Sequence, residues 1–216
     1  MKSAEHVRQS LLDATLELLR QGLNANASGN VSVRTDAGFC ITPSGIGPDR
    51  MQPADMVDMA LDGTVLTAGK PSSEWRFHRD LYAARPDIGA VVHAHSPYAT
   101  SMACLRQDIP PFHYMIAMAG GNTIRCAEYH LFGTQQLSDA VVHAMQDRKA
   151  CLLSNHGMIA CGGTLQAALA LAVEVESLCA QYWRALQVGT PVLLTEAEMA
   201  DVHRQFVGYG DPATRT

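Results

Sequence analysis

The sequence predicts an α/β chain, α+β-like in its order, with a central mixed β-sheet covered by helices. Three observations carry that expectation. Several short runs with a period of two come in pairs joined by tight turns, which makes hairpins and not a pure βαβ repeat. Longer runs with helical periodicity and capping residues lie around them. No internal repeat, low-complexity tract or linker interrupts the 216 residues, so residues 1–216 read as one domain with ample length for a buried core.

Each element follows from local signals. A helix over about 3–21 ends at Gly22, a C-cap residue. NVSVRTDAGFCITPSG reads as a hairpin that turns at Thr35–Gly38, and MVDMALDGTVLTAGK as a second one around Asp62-Gly63. PSSEWRFHRDLYAARPD is a helix with Ser72 or Ser73 near its start and Pro86 beyond its end. IGAVVHAHS is a strand. Residues 97–105 and 136–147 read as short helices. KACLLSNHGMIACG gives two strand-like runs around Asn155-His156-Gly157. Thr164 caps a long helix to about 187, and Glu196–Phe206 is the last helix.

Composition excludes several classes. Hydrophobic residues make up 47% and charged residues 17%, with a net charge of −5. No Lys/Arg block suggests a nucleic-acid surface or a basic membrane patch. The N-terminal run carries charges throughout, unlike a secretory signal, and no run reaches the roughly 18 apolar residues of a membrane span. Six scattered cysteines form no Cys-x-x-Cys pair. Most sit in apolar runs, as reduced core thiols of a cytoplasmic protein do.

The chemistry centres on VVHAHSP, residues 91 to 97. Residues i and i+2 of a strand share a face, so His93 and His95 can reach one point. A lone histidine in an apolar run is ordinarily a satisfied core residue, and that reading stays open for this pair. His156 also ends an apolar strand and is followed by Gly157, in the kind of loop where catalytic residues collect. Three histidines with one open position make a catalytic zinc pattern, whereas a structural site would be closed by four ligands. Glu74, in the first turn of the helix before the H-x-H strand, is the carboxylate that could complete the set. It could equally serve the helix end as an N-terminal acid. His78, one turn on, forms a rival Glu-x-x-x-His pair. H-x-H-x-D, H-E-x-x-H and cysteine-finger patterns are all absent.

A second constellation suits an anion. Ser28-Gly29-Asn30, Thr42-Pro43-Ser44-Gly45 and Pro71-Ser72-Ser73 combine small residues, hydroxyls and N–H groups. Singly each is a plain turn. Together, with one leading into Glu74, they suit a phosphate. A Schiff-base mechanism is disfavoured: Lys2, Lys70 and Lys149 are the lysines, and none lies within an apolar strand. Trp75, Trp183, Cys151 and Cys161 read as packing residues, His113 and His130 as residues that shape the segment around Tyr114, and Glu174 and Glu176 as interface or surface acids.

The runs GNVSVR, ITPSGI, KPSSEWRFH, AVVHAHSP, HYMIAMAGG, FGTQQLS and LLSNHGMIACG occur in the order found in the class II aldolase/adducin superfamily. The chain resembles that superfamily over roughly residues 5–210, with SSEWRFH and HYMIA-AGG similar to its fuculose phosphate aldolase branch. The resemblance implies a central, mainly antiparallel sheet with helices on both faces. It implies that His93, His95 and His156 hold Zn²⁺, or another divalent metal such as Mn²⁺ or Co²⁺, with Glu74 completing the site and then serving as base. It places Gly29, Asn30, Ser44, Gly45, Ser72 and Ser73 around a substrate phosphate. Tyr114 corresponds to a proton donor that acts from a neighbouring subunit of a homotetramer. Phe132, Phe206 and Tyr209 fall where the aldehyde pocket would be.

The implied reaction is reversible cleavage of a ketose 1-phosphate, by default L-fuculose 1-phosphate, to dihydroxyacetone phosphate and a small aldehyde such as L-lactaldehyde. A 5-deoxy- or methylthiopentulose 1-phosphate is the alternative substrate. A zinc-dependent 4-epimerase or decarboxylase is a further alternative within the superfamily, and a non-catalytic adducin-like scaffold a third. Ala27-Ser28, Asn155 and the tail QFVGYGDPATRT depart from the pattern, which bears on the aldehyde more than on the metal or phosphate.

Overall fold

A computed structural model describes residues 3–207 of the chain. Seven strands form one sheet: β1 (Asn30–Thr35), β2 (Gly38–Ile41), β3 (Val57–Met59), β4 (Ala90–Ala94), β5 (Arg125–Ala127), β6 (Ala150–Leu153) and β7 (Gly157–Gly162). Their spatial order is β3-β2-β1-β4-β7-β6-β5. Every pairing is antiparallel except β5 with β6. Among the described residues there are also six α-helices: α1 (Ala4–Arg20), α2 (Trp75–Ala84), α3 (Pro97–Ala103), α4 (Gln135–Ala144), α5 (Leu165–Val188) and α6 (Glu196–Phe206).

Strand alternation sorts the apolar residues into two cores. Val31, Cys40, Val92, Leu152 and Ala160 face one side, under Leu11 and Leu18 of α1, Met102 of α3 and Leu171 and Val175 of α5. Phe39, Ile41, Val91, Cys151 and Ile159 face the other, under Phe77 and Leu81 of α2 and Leu137 and Val141 of α4. The expected two-faced sheet is therefore present, and its central strand is β4, which carries His93.

Caps explain several helix starts. The side chains of Ser3, Thr134, Thr164 and Thr195 each accept an N–H from the first turn of their helix. The second hairpin is only half built. Its turn forms at Asp62-Gly63, with the Thr64 N–H donated to Asp62 Oδ1. Its return strand does not, and a single bridge joins Met59 to Val65. Val65 and Leu66 are exposed at this sheet edge, so no buried face fixes a strand there. β5 carries no period-2 signal in its three residues and had no counterpart in the sequence reading.

Candidate metal centre and substrate cleft

β4 delivers His93 inside the sheet and His95 one residue past its end, both on the α2 side. The Nδ1 of His93 donates to the Met158 carbonyl on β7 at 2.9 Å, which turns Nε2 toward the cluster. His156 stands in the turn between β6 and β7. That turn needs Asn155 in the left-handed region (φ 53°), which asparagine tolerates, and closes with the His156 N–H on the Leu153 carbonyl. Gly157 follows for steric reasons. A Cβ there would stand 2.4 Å from the Ala94 carbonyl oxygen and 3.1 Å from the His95 ring.

The three imidazoles form a pinwheel. Each pair of ring centroids is 4.8 Å apart, with planes 73° to 78° from one another. Glu74 closes the ring: Oε2 is 3.2 Å from His93 Nε2, and Oε1 is 3.3 Å from His156 Nε2. One potential ligand atom from each of the four residues lies within 4.8 Å of the others. Glu74 occupies the N-cap position of α2, not its first turn, and its side chain makes no cap hydrogen bond. The capping role weighed for it is therefore not the one its side chain plays. His78 does not join the ring; its nitrogens face Ser32 and Asn30.

The donor set fits a divalent cation. Glu74 is 6% exposed, and its Oε1 is buried without a hydrogen-bond partner among the described residues. Burial opposes ionisation of this carboxyl. The charge and hydrogen bond of His93, then the charge of His156 and the amide of Asn30, outweigh burial and bring it down to about 2. Burial and the neighbouring His93 bring His95 and His156 down to about 4, which leaves their lone pairs available near neutral pH. Oε2 already accepts from Asn30 Nδ2, and a cation held by the four groups would supply the partner that Oε1 lacks.

The neighbouring elements hold this ring in place. Glu176 on α5 accepts from Ser96 Oγ and from the Tyr98 and Ala99 N–H groups at 2.7 to 2.9 Å, which fixes the start of α3 directly after His95. Glu176, expected as an interface or surface acid, is a half-buried residue that caps α3, which starts some 80 residues earlier in the chain. Asn24 Oδ1 accepts the His95 N–H at 2.9 Å, and Gly29 (φ +74°) lies so close that a Cβ would be 2.3 Å from Asn24 Nδ2. Asn24 gave no signal in the sequence, because an Asn after a helix reads as an ordinary turn residue.

A cleft of about 350 Å³ opens over His95, His156 and Glu74. Gly29, Asn30, Ser44, Gly45, Ser72 and Ser73 all line it. Two of their loops are tied together, with the Ser44 N–H on the Lys70 carbonyl and the Ser72 N–H on the Thr42 carbonyl. No Lys or Arg lines this cleft among the described residues, so any anion there meets N–H groups and hydroxyls. Tyr129, His130 and Phe132 also line it; Tyr129 was missed from sequence, and His130, expected only to shape the segment around Tyr114, stands in the cleft lining. Tyr114 is not brought to the cleft. It lies on a 3₁₀ helix (Tyr114–Ala119), 50% exposed, with its ring stacked at 6.4 Å on Phe206. Phe206 does not line the cleft either, and Tyr209 lies outside the described residues. No described helix is long and apolar enough to cross a membrane.

Comparison with known proteins agrees with this architecture. The family model for the class II aldolase and adducin N-terminal domain matches residues 9–183. A 5-methylthioribulose-1-phosphate/5-deoxyribulose-1-phosphate aldolase from Rhodospirillum rubrum is 52% identical, over 96% of this chain and 94% of that protein. An L-fuculose phosphate aldolase from Escherichia coli is 45% identical, over 94% of each. A solved structure of an L-fuculose 1-phosphate aldolase superposes with a TM-score of 0.91 at 39% identity, covering 96% of this chain and 98% of that one. The same sheet, the same helices on both faces and the Glu/His₃ ring at the end of β4 thus occur in a chain that belongs to the class II aldolase/adducin family and is a class II aldolase, a lyase.

Proposed function

We propose that this aldolase cleaves a 5-deoxy- or 5-methylthiopentulose 1-phosphate to dihydroxyacetone phosphate and a short aldehyde, in a cytoplasmic setting. The observation that carries the aldolase chemistry is the orphaned Glu74 Oε1, set among three imidazoles at the base of a cleft lined by uncharged phosphate-type loops. The higher identity to the methylthioribulose/deoxyribulose enzyme supports the choice of substrate. So does the cleft wall, where the aromatic rings of Tyr129 and Phe132 suit an apolar C5 substituent. L-fuculose 1-phosphate is the second reading, supported by the relative at 45% identity.

Glu74, His93, His95 and His156 would hold the metal, with Zn²⁺ favoured by three imidazoles and one carboxylate. A divalent cation there supplies Lewis-acid stabilisation of negative charge on substrate oxygens. The chain's own residues do the rest. Gly29, Gly45 and Ser73 offer N–H groups to the phosphate, and Ser44, Ser72 and Ser73 offer hydroxyls. As the C3–C4 bond breaks, the C4 hydroxyl loses its proton and becomes the aldehyde. The electron pair of the breaking bond passes to C3 and the C2 oxygen, and C3 then takes a proton that Glu74 has drawn from solvent, to give dihydroxyacetone phosphate, while the C4 hydroxyl proton leaves by its own acceptor. In the addition direction the Glu74 carboxylate takes that proton back. General acid–base help of this kind supplies about 10²–10⁴-fold.

Tyr114 is proposed as the group that exchanges the C4 hydroxyl proton, acting from a neighbouring copy in a homotetramer. Its half-exposed ring, outside the lining of the cleft of its own chain, supports that placement.

A coupled assay for dihydroxyacetone phosphate tests the reading, with zinc-loaded protein and the three candidate ketose phosphates. Release that needs both zinc and Glu74, fastest with the 5-deoxy or methylthio substrate, is the expected result. Fastest release from L-fuculose 1-phosphate would replace the substrate. No release from any of them would remove the aldolase assignment to a ketose 1-phosphate and favour epimerisation or decarboxylation.

A further inference from the structure

Behind the metal ring runs a buried file of polar side chains whose inner members, Ser32, His78 and Tyr82, the cleavage reaction does not itself use. Asn30 and Ser32 are two apart on β1 and share one face; His78 and Tyr82 are four apart on α2 and share one face. Packed together, they make a single chain of hydrogen bonds. Tyr82 Oη meets Ser32 Oγ at 2.8 Å, Ser32 Oγ meets His78 Nδ1 at 2.7 Å, and His78 Nε2 meets Asn30 Oδ1. Asn30 Nδ2 then reaches Glu74 Oε2 at 3.0 Å. His78 and Ser32 have no exposed surface, Tyr82 is 1% exposed and Asn30 is 4% exposed.

Chemistry fixes the direction of every proton in this chain. An ionised carboxylate only accepts, so the end of the Asn30 amide that faces Glu74 must be the NH₂ group. Its oxygen therefore faces His78, and His78 Nε2 must carry a hydrogen. Burial, reinforced by the nearby charge of His93, holds His78 down to about 3, so it is neutral and its Nδ1 is bare. The Ser32 hydroxyl donates to that nitrogen and accepts from the Tyr82 hydroxyl. Turning the Asn30 amide over would set its oxygen against Glu74 Oε2 and its NH₂ against the donor on His78.

We propose that His78 is a positioning residue for Glu74: its Nε2–H sets the orientation of the Asn30 amide, which holds Glu74 Oε2 and leaves Oε1 directed into the ring. The inference rests on the reading of Glu74 as ligand and base. It gives the Glu-x-x-x-His pair of the sequence a role other than shared metal ligation. The Phe77 ring is stacked on His78 at 4.8 Å and meets His93 edge-on, which confines the His78 imidazole.

Two variants separate this from a packing role. Gln can place a donor where Nε2 stands, whereas Asn can replace only the Nδ1 side. Zinc affinity by chelator competition and kcat and KM for dihydroxyacetone phosphate release would be measured on folded His78→Gln and His78→Asn proteins. The expected result is a loss of about 10–100-fold in zinc affinity and in kcat for His78→Asn, the range for partners of metal ligands, with KM changed far less and with substantial recovery in His78→Gln. Equal behaviour of the two variants, or wild-type affinity in His78→Asn, would overturn the proposal. The affinity arm reads out even if the ketose phosphates are not substrates, so failure of the functional reading is seen separately in the wild-type assay. Nitrogen-15 NMR of the wild-type histidines needs no variant: the Nε2–H tautomer of His78 is expected, and an Nδ1–H tautomer would overturn the proposal.

Discussion

At the floor of the cleft His93 has no exposed surface and Glu74 is 6% exposed; at its wall Phe132 is 61% exposed and Tyr129 is 50% exposed. The floor residues have their orientations set by other groups. Met158 aims His93, Asn24 and Glu176 fix the backbone around His95, Asn30 holds Glu74, and Gly157 lets His156 approach. The wall residues have few such partners; Tyr129 has the Arg106 guanidinium 5.4 Å from its ring. A metal site tolerates little displacement, so it is built where packing decides every rotamer. The proposed substrates differ in their tails, and exposed side chains such as these can change without disturbing the floor.

The largest effect should come from breaking the floor. Glu74→Gln removes the anionic ligand and the base together while keeping the volume. A kcat fall of about 10²–10⁴-fold is expected, with the far-UV spectrum unchanged. Chelation of the wild-type enzyme should abolish activity as well, and added zinc should restore it. Restoration by zinc in the Gln variant would contradict the role of Glu74 as base.

The boundary between floor and phosphate loops is the next place to press. Gly29→Ala puts a side chain in the left-handed region, at a cost of about 1–2 kcal/mol, and drives its Cβ into Asn24 Nδ2. KM for the ketose phosphate should rise about tenfold, equivalent to about 1.4 kcal/mol of binding. Steady-state kinetics that show an unchanged KM would mean the loop is not a phosphate loop. At the wall, Phe132→Ala should leave zinc affinity untouched and shift the kcat/KM ratio of methylthio to L-fuculose substrate about tenfold, the scale of one lost apolar contact. An equal loss for both substrates would show that the ring does not read the tail.

This contrast also governs what the sequence could show. His93, His95 and His156 were legible because a strand's period and two strand ends place them, and those are local signals. The six residues proposed for the phosphate were legible as small-residue turns, and the structure gathers them in one cleft. Glu74 was found but set in the wrong helical position, since Ser72 and Ser73 offer two equally good caps ahead of it. What stayed hidden depends on distant partners. Glu176 looks like a surface acid in a 24-residue helix until the fold brings Ser96 to it. The return strand of the second hairpin had its turn and its β-formers, but no apolar face to cover it. β5 exists because β6 and an isolated bridge between Ile109 and Ile124 hold it, not because of its own three residues. Tyr114 is the extreme case: it came only from the resemblance, and the described residues leave it half-exposed and outside the lining of the cleft.

The smallest predicted effect lies away from both floor and wall, where α2 meets α4, and it checks that the floor's sensitivity is not general fragility. Asp80 on α2 accepts from Arg79, from Ser138 Oγ on α4 at 2.6 Å and from Gln135 Nε2 at 2.6 Å. Burial works to raise this carboxyl, but Arg79, Ser138 and Gln135 outweigh it and hold it below the usual carboxylate range. A carboxyl lowered on folding binds its proton more readily in the unfolded chain. Its contribution to stability is therefore complete above the unfolded value, about 3.9, and disappears as pH falls through the lower folded value. Asp80→Asn should cost no more than about 1 kcal/mol at neutral pH, because the cluster is partly solvated and an amide keeps some of its bonds. Urea melts of the two proteins should differ at pH 7 and converge toward pH 3, while zinc affinity and kcat stay at wild-type levels at pH 7. A fall in zinc affinity in this variant would mean that α2 transmits strain from its α4 face to Glu74, and the metal ring would then depend on the whole helix and not on its N-cap and the His78 file alone.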